Sequence, residues 1–286
     1  MESRDPTAWP DVYSRVEELL REAAHRITAI AGRSMDVHFK SRFDMVTDAD
    51  LAAEKLITDG LHALTPGIPV LAEESSNGEN HLPGDAAGTA RECWILDPLD
   101  GTTNFAHGFP HFCISLALFR DGLPEFGIIF DPSKNEMFRA VRGCGTTLNG
   151  SILHVSGTRK LEQCLVATGF PYRVRELKQN NLAEFCAFRL QCQGVRRFGA
   201  AALDLAYIAA GRLDGFWERW LKPWDTAAGI LMVTEAGGTV SRFDGTSYAV
   251  SDPDIIASNG HIHDAMKAIL GRSLPPLPDY YQPGSE

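Results

Sequence analysis

The segment Trp94-Ile95-Leu96-Asp97-Pro98-Leu99-Asp100-Gly101-Thr102-Thr103-Asn104-Phe105 constrains this chain more than any other. Cys93 to Leu96 is an apolar run with strong strand preference, so it reads as a buried strand. Proline has no N–H to give to a ladder, so the strand is expected to end at Asp97-Pro98. Two carboxylates three positions apart then flank a turn, and Gly101, Thr102 and Thr103 follow at once. Hard cations take oxygen ligands, and Mg²⁺ is commonly held by one or two carboxylates plus a substrate phosphate. Backbone N–H groups after a glycine turn form an anion-binding concavity. Solvated turn aspartates are the competing reading, because Asp-Pro and Asp-Gly are common turn dipeptides.

The chain has 286 residues, enough for one large domain or two coupled halves. Its formal net charge of -10 argues against a nucleic-acid footprint. No apolar run approaches the roughly 20 residues needed to span a bilayer, and Met1 to Pro6 has no signal-peptide core. Six cysteines occur without a Cys-x-x-Cys pair, and Cys93, Cys113 and Cys164 sit in apolar runs. That pattern reads as reduced core thiols in a cytoplasmic protein.

Along the chain, residues 1 to 10 read as frayed and polar. A helix is expected from Asp11 to Gly32, with Val12, Val16, Leu19, Leu20, Ala23 and Ile27 on one face. His25 and His38 read as solvent-facing or partly packed side chains. Thr47 suits the N-cap of a second helix, with Leu51, Leu56, Leu61 and Leu64 on its apolar side. Asp48 and Asp50 then fall in the first turn, where the helix dipole favours negative charge. Pro69 to Ala72 reads as a short strand ending at Glu73-Glu74, and 76–89 as an exposed loop. Strands follow at 113–119, 125–130 and 136–141, and such antiparallel runs argue for α+β. A seam near 150–160 divides the chain into halves 1–150 and 151–286 of one catalytic unit. The second half alternates strands (164–168, 195–198, 214–217, 255–257) with helices (177–190, 200–210, 224–236, 261–270). Its tail from Pro275 reads as loose. Trp217, Trp220 and Trp224 read as core and rim packing.

The segment around Asp97 resembles the first signature of the inositol monophosphatase family. Lys222-Pro223-Trp224-Asp225-Thr226-Ala227-Ala228-Gly229, running to Gly238, is similar to its second, and Ala72-Glu73-Glu74-Ser75 gives a third match. The resemblance covers roughly residues 11 to 270. Ala167-Thr168-Gly169-Phe170-Pro171-Tyr172 and Gly199 to Ala206 resemble the family's bacterial branch most closely.

That resemblance implies a layered αβαβα sandwich, a homodimer, and a Li⁺-sensitive, Mg²⁺-dependent phosphomonoesterase acting on a small phosphorylated polyol, foremost inositol monophosphate. Histidinol phosphate, fructose 1,6-bisphosphate and 3′-phosphoadenosine 5′-phosphate are rival substrates on the same fold. A regulatory, partner-binding protein that keeps the metal site is a rival of another class. Glu73, Asp97, Asp100 and Asp225 come from three distant segments, and such carboxylates repel one another unless cations neutralise them. The resemblance implies two or three Mg²⁺ per subunit. Glu73, Asp97, the Leu99 carbonyl and the Thr102 hydroxyl would hold the first, and Asp97, Asp100 and Asp225 the second. Asp50, Glu73 and Thr102 would activate the attacking water. The phosphate would rest on Gly101 and Thr102, beside Asp100. Gly199, Ala200, Ala201, Glu218 and Asp225 would face the substrate, with Glu218 reading a hydroxyl. Lys40 resembles the family's basic segment with an offset of about one residue and takes no role. One of Arg196 and Arg197 would meet either a partner subunit or an anionic substrate.

Overall fold

The computed structural model describes residues 9–31, 37–39, 45–76 and 91–272. Lys40, most of the 76–89 loop and the tail from Pro275 lie outside them. The first helix, α1 (Trp9–Ala31), buries Val16, Leu20, Ala23 and Ile27 at three- and four-residue spacing. A short antiparallel pair, β1 (Val37–Phe39) and β2 (Met45–Thr47), leads into α2 (Asp48–Leu64). The buried face of α2 is Ala49, Ala53, Ile57 and Leu61, one residue every four, whereas Leu51 is 48% exposed. The expected leucine stripe was therefore wrong at Leu51, which lies half a turn from Ala49 and Ala53.

A seven-stranded sheet follows. Its strands are β3 (Val70–Ala72), β4 (Glu92–Asp100), β5 (Cys113–Arg120), β6 (Leu123–Asp131), β7 (Glu136–Val141), β8 (Gly145–Leu148) and β9 (Ser151–Ile152), paired in that order. Among the described residues of this sheet, only the pairing of β3 with β4 is parallel. Contrary to expectation, β4 does not end at Pro98. Asp97 pairs with Ser115 and Asp100 with Cys113, so two residues of β4 oppose one of β5. That bulge takes Pro98 out of the ladder and keeps the strand going. A short helix, α3 (Thr102–Ala106), starts directly after it.

The second sheet has five strands in the order β11 (Gly194–Arg196), β10 (Leu165–Thr168), β12 (Gly215–Arg219), β14 (Asp254–Ser258) and β13 (Thr239–Ser241). Its helices are α4 (Leu182–Arg189), α5 (Ala201–Ala209), α6 (Pro223–Glu235) and α7 (His263–Leu270). The helix expected over 177–190 begins only at Leu182, because Asn181 takes φ +71° and cannot continue a helical turn.

Alternate residues of each strand feed different layers. Trp94 and Leu96 pack with α1 and α2, while Cys93 and Ile95 face α5 and α6. Phe216 and Ala257 cover the other side of α5 and α6, and Val166, Trp217 and Ile256 pack against α4 and α7. The result is an αβαβα sandwich, as expected.

Candidate active site

The bulge in β4 turns two carboxylates to one end of the seven-stranded sheet. Asp97 is buried, and its Oδ1 accepts the Leu99 N–H at 2.9 Å. β3 ends opposite Leu96, and the next residue, Glu73, donates its N–H to the Leu96 carbonyl at 3.1 Å. Glu73 is thereby fixed beside Asp97. Asp100 closes the strand, and its Oδ2 accepts the Ala202 N–H at 2.8 Å. Asp225 enters on the first turn of α6. Its Oδ2 accepts the Lys222 N–H at 2.7 Å, so this residue also caps the start of α6 from its third position. The Ser115 hydroxyl donates to the Trp224 carbonyl at 3.3 Å and ties the start of α6 to β5.

The electrostatics show that these groups are neighbours. Burial is the main cause that raises the Asp97 pKa well above the ordinary carboxylate value, followed by Glu73, Asp100 and Asp225. Asp100 is pushed up to about 7, again mainly by burial, with Ala202 opposing and Glu73 adding. Asp225 is raised by burial and then by Asp100. Among the described residues, no three His, Cys, Asp or Glu side chains are drawn in far enough to grip one ion outright. The donor set itself is all oxygen and rich in mutually repelling carboxylates, and that chemistry fits a hard divalent cation.

The Thr102 hydroxyl lies 3.0 Å from both Asp50 Oδ1 and the Leu99 carbonyl. Asp50 Oδ2 accepts from the Thr47 N–H (2.8 Å) and hydroxyl (2.5 Å). Asp50 is thus both a capping residue of α2 and the partner of Thr102. Burial raises its pKa, against the pull of those hydrogen bonds. Gly101 takes φ +94°, and a Cβ there would stand 3.0 Å from the His111 carbonyl, so this turn demands glycine.

Glu218 is 7% exposed at the end of β12 and not the surface charge a strand terminus suggests. Burial, then Asp225, raises its pKa, while Arg197 lowers it. It therefore lies near Asp225 and Asp100. Gly199 and Ala200 precede α5 and Ala201 opens it. The N–H groups of Ala201 and Ala202 there turn to Asp100, so part of the helix start expected to face substrate is engaged by that carboxylate.

Three contributors were missed in the sequence. Glu54 accepts the Glu74 N–H at 2.7 Å and holds the Glu73 turn. Asn104 donates to the His111 carbonyl (2.7 Å) and the Phe198 carbonyl (2.8 Å), joining the two halves of the site. Asp204, 2% exposed, has an Oδ1 without a hydrogen-bond partner among the described residues. Burial and Glu218 raise its pKa. A lone acid inside the otherwise apolar Ala201-to-Ala209 segment was the available signal.

A five-layer sandwich with acidic side chains gathered around one bulged strand end defines a class of phosphatases. The profile of the inositol monophosphatase family matches residues 9–274. An inositol-1-monophosphatase of Synechocystis is 42% identical over 281 residues, covering 97% of this chain and 92% of that protein. The Nus factor SuhB of Pseudomonas aeruginosa is 42% identical over 261 residues, 91% of this chain and 93% of its own. The solved inositol monophosphatase of Anabaena superposes with a TM-score of 0.80 at 39% identity, covering 92% of this chain and 96% of that one. An IMPase/NADP phosphatase solved with Mg²⁺ and phosphate superposes at 0.78 with 25% identity, covering 91% and 95%. The chain belongs to the inositol monophosphatase family and is a phosphatase.

Proposed function

We propose that this phosphatase hydrolyses inositol monophosphate to inositol and phosphate in a Mg²⁺-dependent reaction without a covalent intermediate. The observation that carries this reading is the clustering of Asp97, Asp100 and Asp225, whose pKa values are raised by burial and by neighbouring carboxylates that include Glu73, beside a Thr102 hydroxyl already held by Asp50. Glu73, Asp97, the Leu99 carbonyl and the Thr102 hydroxyl would hold one Mg²⁺, and Asp97, Asp100 and Asp225 another. Bound there, Mg²⁺ would neutralise the carboxylates, polarise the phosphoryl oxygens and acidify a coordinated water. The Thr102 hydroxyl would orient the attacking water and relay its proton to Asp50, whose raised pKa suits a base, with Glu73 alongside. The Gly101 and Thr102 N–H groups would hold the phosphate in the turn. Glu218 would accept a hydroxyl of the polyol, next to Gly199, Ala200 and Ala201.

The working form would be a cytoplasmic homodimer whose residues 1–150 and 151–286 act as one unit. Among the described residues, no helix is long and apolar enough to cross a membrane. A second reading, a regulatory protein acting on a macromolecular partner, is favoured by the 42% identity to a relative named Nus factor SuhB. The test is phosphate release from inositol 1-phosphate, histidinol phosphate, fructose 1,6-bisphosphate and 3′-phosphoadenosine 5′-phosphate, each with and without Mg²⁺. The expected result is the highest kcat/KM on inositol 1-phosphate, abolished by chelator and inhibited by millimolar Li⁺. Absence of release from all four substrates would overturn the enzymatic reading of this site in favour of the regulatory one.

A further inference from the structure

Trp220 stands two residues beyond Glu218 with φ +67°. A bulky side chain in the left-handed region is an outlier, and such strain persists only where the surroundings over-determine it. Two contacts do so here. The Trp220 backbone N–H donates to the Pro253 carbonyl at 2.7 Å, and its indole Nε1 donates to the Gln179 carbonyl at 3.0 Å. Arg219, between Glu218 and Trp220, pairs with Glu184 at 3.2 Å and fixes the end of β12 against the start of α4.

Gln179 belongs to the 170–180 loop, which leaves and returns at the wall behind Glu218. It leaves at Gly169, where a Cβ would lie 2.2 Å from the Glu218 carboxylate oxygens. It returns at buried Asn181. The Asn181 amide donates to Thr168 Oγ1 and the Gly169 carbonyl, each at 2.7 Å, while its Oδ1 accepts the Trp217 indole at 2.7 Å. Inside the loop, Asn180 Nδ2 donates to the Val174 carbonyl (3.1 Å) and the Leu177 N–H to the Arg173 carbonyl (3.1 Å). The loop is thus a self-bonded unit with its neck at Glu218.

We propose that Trp220 is a positioning residue for substrate selection, its indole strapping the 170–180 loop against the Glu218 side of the pocket where the polyhydroxylated alcohol of the phosphomonoester binds. This rests on the reading of Glu218 as the hydroxyl-binding group. Glycine at 220 would adopt φ +67° without strain but would not reach Gln179. The chain holds a strained ring at this position, and the indole's reach is what that ring supplies.

The test uses the full-length protein with Trp220→Gly and Trp220→Phe, the latter keeping a ring without an N–H. Arg173, Arg175 and Lys178 offer trypsin sites inside the loop. In Trp220→Gly, cutting there should be about fivefold faster or more, because local opening becomes easier. KM for inositol 1-phosphate should rise about five- to tenfold, while kcat/KM for p-nitrophenyl phosphate stays within about twofold. Trp220→Phe should fall between parent and glycine in both readouts. A parental trypsin rate in Trp220→Gly overturns the strap. Faster cutting with equal kinetic loss on both substrates overturns the selective role while leaving the phosphatase reading intact. A parent without activity on polyol phosphates would sink the functional reading and the selective role with it, whereas trypsin still reports the strap.

Discussion

Asp225 carries two jobs that one substitution separates. Its carboxylate caps α6 through the Lys222 N–H and also faces Asp100 and Glu73. An asparagine Oδ1 can still accept the Lys222 N–H from this third helical position, so Asp225→Asn should melt within about 2 °C of the parent or above it, because one repelling charge is gone. Loss of the charge that would hold a cation should lower kcat by about 10³ at saturating Mg²⁺. A variant that turns over within about threefold of the parent would sink the two-metal assignment. Glu218→Gln makes a second residue-level prediction: KM for inositol 1-phosphate should rise on the order of thirtyfold, from about 2 kcal/mol of lost charged hydrogen bonding. p-Nitrophenyl phosphate, which offers no polyol hydroxyl, should be hydrolysed nearly as before, and equal losses on both would reassign Glu218 to the metals or the fold. Asp97, Asp100 and Asp225 were legible in the sequence because they lie beside apolar runs in segments that resemble the family's two signatures. Glu54 and Asn104 were not, because each acts through a backbone group far away in sequence, and a surface-type residue pattern carries no sign of that.

Helices α5 and α6 are the elements that bring the second half to the first. They touch through Gly229, where a Cβ would lie 2.5 Å from the Leu205 Cβ, and α6 approaches β6 over Gly127, where a Cβ would lie 3.1 Å from the Ala228 Cα. α5 gives its first N–H groups to Asp100, and α6 carries Asp225. Gly229→Ala must therefore push apart two helices that both end at the site. Overpacking of this kind costs about 1–3 kcal/mol, and here kcat should fall as well, by roughly tenfold for a misplacement well under 1 Å. Urea midpoints and kcat measured on the same preparation check both effects; parental values of each would show that the helix pair has slack at this contact. The sequence located both helices to within a residue at each end, since a segment such as Ala201 to Ala209, apolar but for Asp204, has to be buried on every side. It failed at the start of α4 and at Pro98. There the backbone follows a positive φ at Asn181 and a bulge whose partner strand lies 15 residues further on, and neither is a local preference.

At the scale of the whole molecule, the sandwich closes several like charges into one place, and its stability should register them. Asp97, Asp100 and Asp225 all have folded-state pKa values raised above the ordinary carboxylate value, Asp100 to about 7. A raised carboxylate means that the folded state binds more protons than the unfolded chain between the two pKa values. Stability from this source is therefore complete below about pH 4 and is lost as pH rises through each folded-state value, which for Asp100 is about 7. In chelator-treated protein the melting temperature should fall between pH 5 and pH 8. Protonated carboxyls do not compete for a cation, so added Mg²⁺ should raise the melting temperature little at pH 5 and much more at pH 8. At a concentration of about 100 Kd the gain is about 2.7 kcal/mol, or roughly 5 °C for a chain of this size. Asp100→Asn should flatten part of the metal-free profile, because it removes one titrating group without emptying its place in the core. Differential scanning calorimetry of parent and variant at pH 5 and pH 8, with chelator and with Mg²⁺, separates these effects. A metal-free profile that does not slope between those pH values, or a Mg²⁺ shift of equal size at both, would mean that the carboxylates around β4 do not share a cation.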